Sequence, residues 1–139
     1  MNLNQLHINQ LTPTGWAWYQ KYLTALDAYD IDDYATFLAD DVSVQFNNEA
    51  PMVGKDIAKV GLGHFWGSVT AMGFALVHEP LNIYGEDHHF VMEALNHYDT
   101  SDGRRLTIRA TAWTDRNHDG KVTAVRLYQD LSPLYAPAT

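Results

Sequence analysis

The sequence contains no cysteine, so neither a disulfide framework nor a thiolate metal site can form. Basic residues are also scarce. Nine Lys and Arg residues stand against seventeen Asp and Glu, which gives a formal net charge of −8. The nine cations are scattered and form no basic stripe, so the composition argues against nucleic acid as a partner.

Long apolar runs are absent as well. No run approaches the ~18 residues that a membrane-spanning helix needs, and the opening "MNLNQLHINQL" has no cationic segment followed by an apolar one. We therefore expect no membrane span, no secretory signal and a cytoplasmic protein. A chain of 139 residues with 46% hydrophobic residues is expected to form one domain over 1–139, with an ordered core from about 12 to 136.

The sequence also lacks the motifs of several enzyme classes. It has no GxGxxG, no phosphate-binding P-loop and no GxSxG nucleophile elbow, so nucleotide chemistry and serine hydrolysis have no support. Seven histidines raise the question of a metal, but there is no HExxH and the adjacent pair His88-His89 is expected in a turn. We predict neither a metal nor a cofactor.

The first half of the chain has helical patterns. Thr12-Pro13 is typical of a helix start, and apolar residues recur at helical spacing through residues 15–30. A second short helix is predicted over 30–41 and a strand over 42–46. A third helix is predicted over 55–69 with Ile57, Val60, His64 and Ser68 on one stripe. Its three glycines indicate either a loose helix or room for a ligand or a close backbone contact.

The second half is rich in alternating β-type patterns. We predict four long strands, over 74–84, 88–100, 104–115 and 121–131, with Asp102-Gly103 marking a turn. Helices followed by a meander of strands predict an α+β fold, with helices packed on one side of a curved antiparallel sheet.

The stretch "TDRNHDGKVT" resembles the first half of an EF-hand calcium loop. Asp115, Asn117 and Asp119 alternate and Gly120 follows. The twelfth position of such a loop needs a bidentate glutamate, but Arg126 stands there. Strand patterns flank the segment on both sides, and Asn, Asp and Gly suit tight turns. We therefore predict an exposed hairpin loop.

Three candidate groups for chemistry follow from the strand patterns. Arg126, Tyr128 and Asp130 alternate on the last strand and either line a cavity or form an ordinary exposed face, which the alternation favours. His78 alternates with apolar residues and is either a satisfied core histidine or a proton-transfer group. Glu93 lies between apolar neighbours and either has a raised pKa or pairs with an arginine such as Arg109.

Three segments of the sequence together resemble one known protein family. "YLTALDAYDIDDYATFLADDVSVQF", "GKDIAKV" and "VRLYQDLSPLYA" resemble the SnoaL-like branch of the nuclear transport factor 2-like superfamily, over nearly the whole chain from about residue 14. The resemblance implies a cone-shaped, cystatin-like α+β fold with a deep apolar pocket. Relatives include ketosteroid isomerase, scytalone dehydratase and polyketide cyclases, which act on small apolar molecules by acid–base chemistry without a cofactor.

The resemblance also implies roles for particular residues. The pair Tyr29-Asp30 is similar to a tyrosine–aspartate pair of scytalone dehydratase, although Asp30 is equally explained as a helix cap. His78 matches its first active-site histidine, and Asp130 lies where SnoaL-type cyclases have their acid–base aspartate. These four residues are the predicted catalytic set. The predicted substrate-binding residues are Phe46, His64, Trp66, Glu93, Trp113 and Tyr128.

Two functions remain open from the sequence. The leading hypothesis is a cofactor-independent lyase, isomerase or cyclase acting on a small ring-containing molecule. The alternative is a non-catalytic small-molecule-binding or dimerisation module of the same fold. A homodimer is expected in either case, because helices cover only one face of the predicted sheet and the other face would leave an apolar patch exposed.

Overall fold

The computed structural model describes residues 7–8 and 11–135, so residue 136, the predicted end of the ordered core, lies outside the described part. Within these described residues, four helices and seven strands follow one another. In order they are β1 (His7–Ile8), α1 (Pro13–Asp27), α2 (Ile31–Ala35), β2 (Leu38–Phe46), β3 (Met52–Val53), α3 (Lys55–Ala71), β4 (Phe74–Glu86), β5 (His89–Thr100), β6 (Arg105–Arg116), β7 (Val122–Gln129) and α4 (Ser132–Tyr135).

All seven strands belong to one open sheet in the order β1-β4-β5-β6-β7-β2-β3. The long strands β4 to β7 form an antiparallel meander, while β2 lies parallel to β7 and the two-residue β1 lies parallel to β4. The first three helices contact the inner face of this curved sheet, which confirms the predicted α+β architecture. No helix in the described part of the chain is long and apolar enough to cross a membrane.

Helix α1 begins where the sequence predicts. Thr12 is its N-cap, and the Thr12 side chain accepts a hydrogen bond from the Gly15 amide at 3.1 Å. The carboxylate of Asp87, in the turn between β4 and β5, accepts further hydrogen bonds from the Thr12 amide and hydroxyl. A distant turn therefore fixes the start of the helix.

The second helix is shorter than predicted. The prediction extended it to residue 41, but α2 ends at Ala35 and β2 already begins at Leu38. The reason is tertiary: Leu38 pairs with Val122 of β7, and the buried Leu38 and Val42 fill the core while the intervening acids face solvent. Sheet pairing overrides the local helical pattern in this segment.

The third helix buries a different stripe from the predicted one. Ile57 and Val60 are 60% and 63% exposed, and His64 is exposed as well. The buried stripe consists of Ala58, Leu62, Trp66 and Val69. Helix α3 carries apolar residues on two faces, and the bulkier face with Trp66 packs against the sheet.

The calcium-like stretch forms the tight turn between β6 and β7. The Gly120 amide donates to the Asn117 carbonyl at 2.9 Å, and the Asn117 amide donates to the Lys121 carbonyl at 2.8 Å. Gly120 has a positive φ of 79°, which favours glycine. His118 and Asp119 are exposed at the tip. The hairpin prediction is confirmed.

Candidate active site

A cavity of about 70 Å³ lies between the helices and the inner face of the sheet. This is several times the ~10–15 Å³ that one water molecule requires, so the cavity has room for more than one water-sized group. Most of the lining is apolar, with Phe46, Phe65 and Trp66 on one side. A few polar side chains also reach it: Tyr19, Tyr22, Tyr34, His78, Asn96, Thr114 and Gln129. Apolar walls with few polar groups are typical of ligand sites.

His78 lines the cavity and is held by Asp27 from the last turn of α1. The imidazole Nδ1 lies 2.6 Å from Asp27 Oδ1, and the same oxygen lies 3.3 Å from the His78 backbone nitrogen. An ionised carboxylate can only accept, so Nδ1 carries the proton and donates it. When the ring is neutral, Nε2 is the unprotonated nitrogen, and it makes no hydrogen bond within residues 11–135. Such an arrangement makes His78 a proton acceptor.

Two buried tyrosines from α1 and α2 meet in the cavity wall. The hydroxyls of Tyr22 and Tyr34 lie 2.7 Å apart, so one donates to the other. Burial raises the pKa of Tyr34 to about 12, although the hydrogen bond with Tyr22 opposes the rise. Burial and the interactions with Tyr34 raise the pKa of Tyr22 well above its usual range. Both hydroxyls stay protonated at neutral pH, and the pair keeps one proton to donate to a ligand.

Asn96 provides an amide on the opposite wall. It pairs with His78 across strands β4 and β5, so both side chains lie on the same face of the sheet. Its Nδ2 donates to Gln129 Oε1 at 3.1 Å, while its Oδ1 is buried and has no partner in the described part of the chain.

Three of the predicted site residues line the cavity: His78, Phe46 and Trp66. The structure places Asp30 elsewhere, because its exposed carboxylate accepts from the Asp33 amide at 3.1 Å and caps α2. Tyr29, which was expected to polarise a substrate oxygen, has its hydroxyl against the backbone of Leu76 and does not reach the cavity lining.

The remaining predicted residues lie outside the cavity lining. Asp130 is exposed and accepts from the Ser132 amide at 3.0 Å, which lowers the pKa of its carboxyl. Tyr128 and Trp113 are both 45% exposed on the outer face of the sheet. Glu93 is on the same face, where it accepts from Asn82 at 2.8 Å. Of the two alternatives that the sequence leaves open for Arg126, Tyr128 and Asp130, the exposed face agrees with Leu127 and Gln129 lining the cavity, and the assignment of Tyr128 and Asp130 to the site does not.

Sequence reasoning missed Asp27, Tyr22, Tyr34 and Asn96. One signal for Asp27 was available: a carboxylate in the last turn of a helix meets the negative end of the helix dipole, which is locally unfavourable. An acid kept at such a position points to a partner elsewhere in the fold. The tyrosines carried no such signal, since their spacing fits an ordinary apolar helix face.

A family model described as SnoaL-like domain matches residues 19–125. This span includes α1 from Tyr19 onward and all of β4, from which Asp27 and His78 come, and the cavity-lining part of β5. No curated protein sequence matches the chain.

Several solved structures share the fold. A candidate SnoaL-like polyketide cyclase from Shewanella denitrificans aligns with a TM-score of 0.72 at 11% identity, covering 89% of this chain and 96% of that one. An LEH-like epoxide hydrolase of Mycobacterium tuberculosis gives 0.68 at 17% identity, covering 89% and 88%. RV0760c of the same organism, in complex with estradiol-17β-hemisuccinate, gives 0.65 at 17% identity, covering 85% and 95%. At these identities the likeness establishes the fold alone.

Proposed function

The chain belongs to the SnoaL-like domain family, and on that premise we propose that it is an acid–base enzyme acting on a small, mostly apolar, ring-containing molecule. The proposed reaction class is lyase, isomerase or cyclase, without a cofactor. The observation that carries the proposal is the Asp27–His78 pair, whose imidazole lines a mostly apolar cavity. A histidine oriented by a carboxylate is a recurring general base.

The proposed chemical step is proton abstraction next to a carbonyl group. His78 Nε2 takes the proton from carbon, and the electron pair moves toward the carbonyl oxygen to give an enolate. Asp27 stabilises the imidazolium that forms, because its carboxylate oxygen accepts a hydrogen bond from Nδ1, 2.6 Å away. The imidazolium then returns the proton, either to another carbon in an isomerisation or to a leaving hydroxyl in a dehydration.

Tyr22 and Tyr34 are proposed to stabilise the developing negative charge. Their pair has one hydroxyl proton that the mutual hydrogen bond does not use. A donor aimed at the oxygen on which charge develops is worth more in a water-excluded cavity than in water. Because burial raises the pKa of both phenols, they act as donors and not as bases.

Turnover assays with matched variants test this proposal. The panel comprises cyclic β-hydroxy ketones and cyclic β,γ-unsaturated ketones. For any compound that is turned over, His78→Ala and Asp27→Asn should lower kcat/KM by roughly 10²–10⁴-fold. His64→Ala is the control, because His64 is exposed and lies outside the cavity lining. If both site variants stay within a few-fold of the wild type, the assignment is wrong.

The alternative function is a binding module with the same pocket and no chemistry. This alternative is supported by polar side chains of the cavity that hydrogen-bond to other protein groups. For example, the Tyr19 hydroxyl donates to Met92 Sδ at 2.6 Å. The relative RV0760c binds a steroid ester. Tight binding of a compound without turnover in either direction would favour this function over the enzymatic one.

A further inference from the structure

The buried amide oxygen of Asn96 is a polar group that no other residue in the described part of the chain satisfies. Asn96 is 2% exposed and lines the cavity, but its Oδ1 has no hydrogen-bond partner there. Leaving a buried acceptor without a partner costs free energy, so folded proteins rarely retain one without a reason. Because the residue lines a cavity, the simplest reason is that a bound molecule supplies the missing donor.

Two successive sets of hydrogen bonds, from Asn47 to Gln129 and from Gln129 to Asn96, set the orientation of the Asn96 amide. Asn47 clamps the backbone of Gln129, since its Oδ1 accepts from the Gln129 amide and its Nδ2 donates to the Gln129 carbonyl, both at 2.8 Å. Asn47 adopts a positive φ of 51° in doing so. Gln129 Oε1 then accepts from Asn96 Nδ2 at 3.1 Å, which leaves the Asn96 oxygen for the cavity.

The neighbourhood of Asn96 fits a hydroxyl group better than a carbonyl group. Its cross-strand partner is His78, whose Nε2 is unprotonated when the ring is neutral, because Nδ1 carries the proton donated to Asp27. The Asn96 oxygen and Nε2 of the neutral His78 ring are therefore both acceptors, while Gln129, which also lines the cavity, keeps a side-chain NH₂ donor. A carbonyl or ether oxygen placed between the two acceptors would gain no hydrogen bond from them, whereas a hydroxyl proton would satisfy one of them.

We propose that Asn96 is a specificity-determining residue that accepts a hydrogen bond from a hydroxyl group of the ligand. The proposal rests on the proposed function to the extent that both need a small apolar molecule in this cavity. It adds a substrate class: ring compounds carrying an alcohol or phenol, in preference to compounds of the same shape that lack it.

Binding of three naphthalene probes tests this inference without requiring turnover. The probes are 2-naphthol, the isosteric 2-methylnaphthalene, and 2-methoxynaphthalene, which has an acceptor but no donor. Titration calorimetry on the full chain should give a Kd for 2-naphthol roughly tenfold or more below the other two, because one hydrogen bond to a buried group is at stake. Equal affinities, a preference for the methoxy compound, or no binding of any probe would overturn the proposal.

Variants of Asn96 separate its contribution from that of His78. Asn96→Leu should abolish the preference for 2-naphthol, and it should fold, because removal of the buried oxygen that lacks a partner offsets the lost hydrogen bond to Gln129. Asn96→Ala provides a second, smaller replacement with the same expected loss. Asn82→Leu is the control, since Asn82 lies on the outer face of β4 and bonds Glu93. A hydroxyl preference that survives both Asn96 variants would refute the assignment.

Failure of the Asn96 inference can be distinguished from failure of the proposed enzymatic function. Loss of the hydroxyl preference in the Asn96 variants, together with unchanged turnover in His78→Ala, would uphold the inference and reject the enzymatic mechanism. Equal affinities of the wild type for the three probes, together with turnover that depends on His78 and Asp27, would do the reverse.

Discussion

Asp27 Oδ1 accepts a hydrogen bond from the imidazole Nδ1 of His78 at 2.6 Å. The same oxygen lies 3.3 Å from the backbone nitrogen of His78. One carboxylate oxygen thus positions both the ring and the strand that carries it. This contact ties the end of α1 to β4, and it compensates the unfavourable position of an acid at a helix C-terminus.

The first prediction concerns the tautomer of His78. With Asp27 as an acceptor, the neutral ring should be protonated on Nδ1, and ¹⁵N NMR of the imidazole nitrogens should report this form. In Asp27→Asn the amide can donate instead of accept, so the Nε2-protonated form should gain population. Exposed His64 is the internal reference. An unchanged His78 spectrum in the variant would contradict the proposed role of Asp27.

The second prediction concerns the pH dependence of stability through Asp87. Burial opposes ionisation of this carboxyl, but hydrogen bonds from the Thr12 hydroxyl and amide and the charge of Arg116 outweigh burial and lower its pKa. A lowered folded-state pKa means that the stabilisation is fully present above the unfolded value of about 3.9 and is lost as the pH falls through the folded value.

Urea unfolding of the wild type and of Asp87→Asn tests whether the stabilisation by Asp87 is lost as the pH falls. The variant should have a lower urea midpoint than the wild type at pH 7, and the difference should narrow at pH 3. Asp119→Asn is the control, because Asp119 is exposed at a hairpin tip. A difference between wild type and Asp87→Asn that is constant from pH 7 to pH 3 would rule out linkage through this carboxyl.

Local sequence patterns were sufficient to predict most of the helices and strands of the fold. The cap at Thr12 and the alternation of the four long strands each depend on neighbouring residues, and the structure has these elements within a few residues of the predicted bounds. The segment around Leu38 was misassigned because pairing with β7, far away in sequence, decides its conformation. The buried face of α3 was misassigned because the helix has two apolar stripes and the sequence does not rank them.

The site was less predictable than the fold. The histidine on an apolar strand and the aromatic residues Phe46 and Trp66 were found from residue type and resemblance. The resemblance to a tyrosine–aspartate pair assigns the acid to Asp30, three residues beyond Asp27, and the sequence does not show that α1 ends at Asp27. Tyr29 then takes a positive φ of 57°, and Asp30 becomes the cap of α2. The role of Asn96 depends on cross-strand register, which no local pattern reports.

The third prediction concerns glycines inside helices. A Cβ at Gly67 in α3 would meet no other atoms within 4 Å, so Gly67→Ala should stabilise the protein by up to about 1 kcal/mol, or roughly 4 °C in Tm. A Cβ at Gly15 in α1 would collide with the Asp87 carboxylate, so Gly15→Ala should lower Tm despite the better helix propensity of alanine. Thermal unfolding by circular dichroism measures both, and shifts of the same sign would contradict this packing argument.

The fourth prediction is a homodimer formed through the outer face of the sheet. Several large apolar side chains are exposed there on different strands: Val77, Tyr84, Trp113 and Tyr128, between 42% and 48% each. A stable interface on this face should bury about 800 Å² per partner. Light scattering should give twice the chain mass, and Trp113→Glu should shift the protein toward monomer.

A matched variant on another surface tests which face is used. Val60→Glu places the same charge on the exposed stripe of α3, where Val60 is 63% exposed. If Val60→Glu dissociates the protein and Trp113→Glu does not, the interface lies on α3. A wild-type monomer at high protein concentration would reject the dimer altogether.

The last prediction is that the Asp115–Gly120 segment does not bind calcium with the affinity of an EF-hand sensor. Its oxygens already have other partners. Asp115 accepts from Arg126 at 3.3 Å and lies 3.0 Å from the His89 ring, and Asn117 Oδ1 accepts from the amides of Asp119 and Lys121 at 3.0 and 2.9 Å. Sensor sites bind calcium at roughly 10⁻⁷–10⁻⁵ M with a closing glutamate, whereas the closing position here is a cation.

Calorimetric titration of the full chain with calcium decides the matter. Only the Asp119 carboxylate is left to attract an ion, so binding should be millimolar or weaker, and Asp119→Ala should change it little. Asp102→Ala, in the exposed turn between β5 and β6, controls for the loss of one surface charge. Micromolar binding that disappears in Asp119→Ala and persists in Asp102→Ala would show that the turn is a calcium site after all, because only specific coordination distinguishes two exposed hairpin carboxylates.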